Sequence, residues 1–396
     1  MNIDNSTRKA VERCLDYRIP FALFAFPGEK NYRFYASPAE KSESTSVFVD
    51  GNADCFFINF FDNDEPYTPS IQFRMSAETV LDYCEKELVE QPSTEIRPRI
   101  ASTYRVSYHD AFSRIIPRLK AEGGKVVLSR MRTIFTMKHP LEISEEYFDL
   151  SDSTFRYMCY TPETGVWFGS TPEILLESDL KKREIRTMAL AGTRSADDDS
   201  PWDKKNIHEQ SIVTDFIVEA LKSEGLDVTV NELSERKFLN IKHLCTDITA
   251  RGEVDIPSLM TALSPTPAVA GYPRETAVDE ICRYETHRRN CYGGYVGVRI
   301  GGNYHAYVNL RCCFAAPVVR MADDVGIAGF GWLCNLYAGG GIVAESIEDD
   351  EWAETSAKTQ KLSEILIGKN DCGVEGPELK VNRIEFNERV AAKLCF

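Results

Sequence analysis

Glu351 and Glu354 stand three residues apart, and Lys358 follows four residues after the second. In a helix this spacing puts two carboxylates and an ammonium on one face. Upstream lie Arg311 and the run Leu336-Tyr337-Ala338-Gly339-Gly340-Gly341-Ile342-Val343. An arginine offers a bidentate partner to a carboxylate, and glycines let backbone N–H groups approach an anion closely. Carboxylate oxygens suit magnesium, which keeps several of its waters. Together these groups could hold a small anionic molecule beside a divalent ion, the equipment of an enzyme acting on a carboxylate substrate. Singly, each has a plainer reading. Glu345, Glu348, Asp349 and Asp350 surround the two glutamates as in a solvated helix start, and Arg311 suits a surface ion pair.

Other residues belong to the same inquiry. Lys125 stands where Gly123-Gly124 enters the apolar run Val126-Val127-Leu128. Desolvated there, a lysine could act as a general base; at a strand edge it could equally guard against mispairing. Glu173 follows Gly169-Ser170-Thr171-Pro172 and precedes Ile174-Leu175-Leu176. A carboxyl group at such a turn, if buried, stays protonated and can serve as a general acid; in water it is an ordinary carboxylate. With opposite desolvation shifts, Lys125 and Glu173 would divide base and acid roles. Glu209, in Ile207-His208-Glu209-Gln210, fits a metal ligand or a surface carboxylate, and His243 fits a catalyst or a satisfied core histidine. Ala191-Gly192-Thr193-Arg194 and Gly339-Gly340-Gly341 read as flexible turns after apolar segments. The triple glycine lacks the Lys-Ser/Thr ending of a P-loop, and the six histidines show no zinc spacing.

The elements that must carry these groups read as α+β. Strands are expected at residues 21–26, 32–35, 46–49, 55–61, 71–73, 125–130, 155–160, 165–169, 174–176, 294–300, 305–310 and 328–333. Helices are expected at 77–88, 108–119 (with Pro117 complicating the end), 202–224, 260–263, 276–283 and 349–367. Strands often follow one another without an intervening helix, which favours antiparallel sheets over a doubly wound parallel one. The Pro-containing stretch 91–99 marks a boundary between a β-rich part, residues 1–100, and a catalytic region, 101–396.

Bulk properties narrow the function classes. At 43% apolar residues, 396 residues can bury a sizeable core. A formal charge of −15 gives no electrostatic case for binding nucleic acid or an anionic membrane. Twelve cysteines without a Cys-x-x-Cys pair read as reduced thiols, and Met1-Asn2-Ile3-Asp4-Asn5 lacks a basic secretory start. The expected compartment is the cytoplasm.

Taken jointly, the motifs resemble the chorismate-utilising enzymes, the family that includes anthranilate synthase component I. The resemblance runs from Tyr104 to Leu366. It rests on Lys125 to Arg130, Gly169-Ser170-Thr171-Pro172-Glu173, Ala189 to Arg194 and His243-Leu244. It continues through Pro265-Thr266-Pro267-Ala268-Val269-Ala270-Gly271-Tyr272-Pro273, Tyr292-Gly293-Gly294, Arg311 and the final glycine-to-glutamate block.

The resemblance implies a large α+β fold with antiparallel sheets packed face to face, helices outside, and magnesium in a central cleft. Glu209 and Glu354 would ligate the metal, with Glu351 nearby. Gly192, Thr193 and Lys358 would seat the ring carboxylate of chorismate. Arg311 and the backbone near Gly339 would hold the enolpyruvyl carboxylate, and His243 would lie near the departing hydroxyl. Lys125 and Ala268 match the members that add water, isochorismate synthases first and salicylate synthases second; members that use ammonia typically carry other residues at both positions. The implied reaction has Lys125 activating water at C2 and Glu173 protonating the C4 hydroxyl. No amidotransferase subunit is implied, and a monomer suffices. Two departures from the pattern are a long connection between Arg311 and Tyr337 and a first hundred residues without a diagnostic motif.

Overall fold

The structure is a computed structural model and describes residues 3–37, 53–61, 68–86, 102–322 and 326–368. The expected strand at 46–49 and the boundary at 91–99 lie outside the described residues.

In chain order the elements are α1 (Asn5–Tyr17), β1 (Phe21–Ala25), β2 (Arg33–Ala36), β3 (Cys55–Ile58), β4 (Ser70–Gln72), α2 (Ala77–Lys86), α3 (Arg105–Glu122), β5 (Lys125–Thr136), α4 (Pro140–Phe148), β6 (Phe155–Thr161), β7 (Gly165–Thr171) and β8 (Ile174–Asp179). There follow β9 (Glu184–Ser195), α5 (Lys204–Ser223), β10 (Asp227–Val230), β11 (Ser234–Phe238), β12 (Ile241–Arg251), α6 (Ile256–Leu263), β13 (Gly271–Tyr272), α7 (Arg274–Tyr284), β14 (Tyr295–Ile300), β15 (Asn303–Val308), β16 (Cys312–Ala322), β17 (Gly326–Ile342) and α8 (Glu348–Ile367).

Two antiparallel sheets result. One runs β13-β5-β17-β16-β7-β6-β1-β2, and the other β10-β12-β9-β8-β15-β14-β3-β4 with β11 also paired to β12. β1 and β2 extend the first sheet beyond β6, and β3 and β4 extend the second beyond β14, so the N-terminal strands join the same two layers as the later ones. The inner faces meet in an aromatic core. Phe24, Tyr157, Trp167, Phe314 and Tyr337 of the first sheet pack with Phe56, Val296, Val298 and Tyr307 of the second. The outer face of the first sheet is covered by α1, α2, α4 and α8, and that of the second by α5 and α6. This is the expected α+β architecture, sheet on sheet with helices outside. Every cysteine among the described residues is a free thiol, mostly buried. No helix among them is long and apolar enough to cross a membrane.

Local chemistry explains several boundaries. Asp203 caps α5 by accepting from the Asn206 N–H at 2.8 Å. The first turn of α8 carries Glu348, Asp349, Asp350 and Glu351, where the helix dipole favours negative charge. The helix expected at 108–119 runs through Pro117 to Glu122. The sequence reading placed no strand at β9 to β13 or at β16 and no helix at α1 or α4; β10 and β11 are mostly exposed and polar, and ladder hydrogen bonds to β12 make them strands.

Two expected turns are not turns. Gly339, Gly340 and Gly341 lie inside β17, paired with Ser129, Leu128 and Val127 of β5. Alternation puts Gly339 and Gly341 on the inner face and Gly340 on the outer. A Cβ at Gly341 would fall 2.2 Å from Glu209 Oε1, and one at Gly340 would fall 2.8 Å from Glu351 Oε2. The triplet therefore thins the sheet where two carboxylates press on it. Gly192 lies within β9 as the extra residue of a bulge opposite His243 and Leu244, at φ +70, where a side chain would be strained. The long connection after Arg311 is the extended β16–β17 hairpin.

Candidate active site

The site forms where β5 and β17 of one sheet face β9 and β12 of the other. On β5, Val126 and Leu128 pack outward with residues of α3 and α7. Alternation then turns Lys125 and Val127 inward. Arg289 and Glu285 brace this strand from behind: Arg289 donates to Val127 O and Val269 O, each at 2.6 Å, and Glu285 accepts from the Ser129 N–H. α5 is pinned to β9 by Gln210, which accepts from the Ala191 N–H and donates to Ala189 O. That contact fixes where Glu209, its neighbour, projects.

A small cavity of about 50 Å³ lies between the layers. Its lining includes Glu173, Gly192, Thr193, Glu209, His243, Ala268, Arg311, Gly339 and Lys358. Nine of the twelve residues singled out in the sequence thus share one cavity. Lys125, Glu351 and Glu354 are not among its lining residues. Tyr292 and Tyr337, which the sequence reading quoted within motifs without giving them a role, also line it, as do Leu310, Pro172 and Leu190.

Glu173 is 1% exposed, in the link between β7 and β8, with Oε1 lacking a hydrogen-bond partner. Burial pushes its carboxyl up to about 8, against the opposing pull of Lys125, Lys358 and Arg311. It is therefore protonated at neutral pH and equipped to donate. Lys125 is fully buried, deeper than expected, and its Nζ lies 2.9 Å from Glu209 Oε1, outside good hydrogen-bond angles. An open, water-facing lysine is not what the structure places here: Glu209 holds it one residue behind the cavity surface. Lys125 is still the foremost neighbouring charge felt by Glu173.

His243 accepts and donates in a defined way. Arg311 Nη2 can only donate, so at 3.0 Å the His243 Nε2 must accept. Nδ1 then carries the proton, 3.1 Å from Gly192 O and from Thr193 Oγ1. Burial, then Arg311 and Lys358, push its pKa well below the usual imidazole value, so the ring is neutral. Arg311 Nη1 also donates to Lys358 O. Lys358 Nζ donates to Gly339 O at 2.7 Å and to Glu354 at 2.6 Å.

The acidic cluster is knit by lysines. Glu351 is 1% exposed and meets Lys205 at 2.7 Å, and it also accepts from Ser346. Burial and Glu354 push the Glu351 carboxyl up to about 7 despite Lys205. Burial acts upward on Glu354 too, but Lys358 and Lys205 hold it below the usual carboxylate range. Burial works against the charge of Lys205, yet Glu209, Glu351 and Glu354 raise its pKa above the ordinary value. Lys205 was not foreseen, although its i,i+4 spacing to Glu209 is visible in the sequence.

Glu209 Oε2 and Glu351 Oε2 are buried without hydrogen-bond partners. Orphaned anionic oxygens are costly, and their chemistry fits a hard divalent cation. Among the described residues, no three potential ligands are already gathered for a metal; the carboxylates are engaged by lysines instead.

The profile of the family described as chorismate binding enzyme matches residues 47–367. The chain is 30% identical over 268 residues to the isochorismate synthase MenF of Pasteurella multocida, covering 62% of this chain and 58% of that one. It is 31% identical over 263 residues to the salicylate biosynthesis isochorismate synthase of Pseudomonas aeruginosa, covering 61% and 51%. The chain thus spans little more than half the length of these relatives. Its fold matches the solved menaquinone-specific isochorismate synthase MenF of Escherichia coli with a TM-score of 0.69 at 20% identity, covering 92% of each chain. Taken with the cavity and its converging side chains, a profile that spans most of the sequence places this chain in the chorismate binding enzyme family.

Proposed function

We propose that the protein is an isochorismate synthase, converting chorismate reversibly to isochorismate by adding water at C2 with loss of the C4 hydroxyl. One observation carries the reading: a carboxyl held protonated by burial, Glu173, lines the cavity, and the neighbouring charge that acts on it most strongly is the buried Lys125 just behind the cavity surface. Acid and base are the two groups that exchange of a ring hydroxyl requires.

Lys125 removes a proton from water as the oxygen bonds to C2. The ring double bond shifts, the C4–O bond breaks, and Glu173 gives its proton to the leaving hydroxyl, which departs as water. Atoms balance, because one water enters and one leaves. Solvent returns the proton from Lys125 to Glu173. Each transfer typically contributes ~10² to 10⁴-fold. Arg311 and the backbone near Gly339 bind the enolpyruvyl carboxylate, and neutral His243 hydrogen-bonds near the ring hydroxyl. Gly192, Thr193 and Lys358 seat the ring carboxylate, beside Ala268. Glu209, Glu351 and Glu354 would hold magnesium, which when bound supplies charge to anchor and polarise that carboxylate.

We assign the enzyme to the cytoplasm, acting as a monomer without an amidotransferase subunit, with isochorismate passing to menaquinone or siderophore formation. The test incubates purified protein with chorismate and magnesium and resolves the products by chromatography. Isochorismate alone is expected. Salicylate with pyruvate would make it a salicylate synthase, an ammonia-dependent amino product would make it an anthranilate synthase, and no turnover would make it a chorismate-binding protein.

A further inference from the structure

Three glutamates and three lysines are interleaved at the acidic end of the cavity. Lys125 pairs with Glu209, Lys205 with Glu351 and Lys358 with Glu354. The three lysines are not placed alike. Lys125 is fully buried, and Lys358 is tied by a second hydrogen bond to Gly339 O. Lys205 sits in the first turn of α5, its side chain 21% exposed. Its Nζ is 2.7 Å from Glu351 Oε1 and 4.0 Å from Glu209 Oε2, which has no hydrogen-bond partner. Glu209, Glu351 and Glu354 are the three charges that act on it most strongly.

We propose that Lys205 is a built-in place-holder cation, filling the position between Glu209 and Glu351 when no divalent ion is bound and swinging to solvent when one enters.

The inference rests on assigning those glutamates to a metal. The physical argument is charge exclusion. Buried carboxylates packed this closely need a counter-ion to remain folded. A divalent ion and an ammonium cannot share the space between the same two carboxylates, because like charges a few ångströms apart repel strongly where solvent is scarce. A flexible four-carbon stem at a helix start gives the ammonium a route to water at low cost. Lys205 thus protects the empty site and weakens metal binding by the cost of displacing it. Magnesium would occupy the site only at concentrations that overcome this built-in competitor.

The experiment is calorimetric titration of magnesium into metal-free wild type and Lys205→Met, which keeps length and removes charge. Tighter binding by the variant, about tenfold or more and equivalent to ~1.4 kcal/mol, is expected. Its thermal midpoint in chelator should be lower than wild type, and magnesium should raise that midpoint more in the variant. Equal or weaker magnesium affinity in Lys205→Met overturns the place-holder role and makes Lys205 a support for Glu351. No magnesium binding by either protein overturns the metal assignment itself. A second readout on wild type covers a variant that fails to fold: labelling of Lys205 by an amine-directed reagent, mapped by mass spectrometry, should rise on adding magnesium. Unchanged or reduced labelling would also overturn the proposal.

Discussion

Glu173→Gln isolates the physical basis of the general acid. The substitution keeps shape and removes the ionisable group. In the folded protein the carboxyl is pushed up to about 8 from an ordinary 4.5. The native state therefore holds a proton that the unfolded chain releases above pH ~4.5. Stability from this group is fully present below the unfolded pKa and is lost as pH rises toward 8. Each pH unit within that window is worth ~1.4 kcal/mol, and allowing for partial ionisation at both ends the loss between pH 5 and 8 is about 3 to 4 kcal/mol. Glu173 is fully buried, so no solvent screening reduces that figure. Glu173→Gln carries no such term. Urea denaturation of both proteins at pH 5, 6, 7 and 8 should show the variant gaining on wild type by that amount, whatever fixed cost the amide carries at every pH. Chorismate turnover should be lost at all four values, and in the wild type it should fall as pH rises through about 8. A stability difference that stays flat from pH 5 to 8 would refute the reasoning: the carboxyl would then ionise normally and could not serve as a neutral-pH acid.

The other perturbations test separate parts of the site. Lys125→Gln should lower isochorismate formation by ~10² to 10⁴-fold, with circular dichroism unchanged; near-normal turnover would remove Lys125 from the mechanism. Gly341→Ala puts a methyl 2.2 Å from Glu209 Oε1 and 2.7 Å from Lys125 Cε, so it should cost about 1 to 3 kcal/mol in denaturant melts and cut turnover. A stable, fully active Gly341→Ala would mean that the Glu209–Lys125 pair is not seated against β17. Glu354→Ala should raise the magnesium concentration needed for half-maximal rate, and an unchanged titration would show that Glu354 does not help to hold the ion.

Much of this molecule is legible in its sequence. Alternating apolar residues foretold most of the antiparallel strands, and 3.6-residue spacing foretold α5 and α8, because burial of one face is written into residue order. Motif order and spacing also named nine residues that line one cavity. What the sequence could not carry was which groups touch. Gly339-Gly340-Gly341 reads as a turn because glycine permits one; only pairing with β5 shows a strand kept thin for Glu209 and Glu351. Glu173 could have been an ordinary turn carboxylate, and its protonation follows from burial between layers joined by distant strands. Lys205 drew no notice in the sequence; only the meeting of α5 and α8 brings it between carboxylates more than a hundred residues apart in the chain. Local order determined the elements and the chemical vocabulary of the site. Charge state and pairing were decided by tertiary packing, since they depend on dielectric surroundings and through-space distance, which no short window of sequence contains.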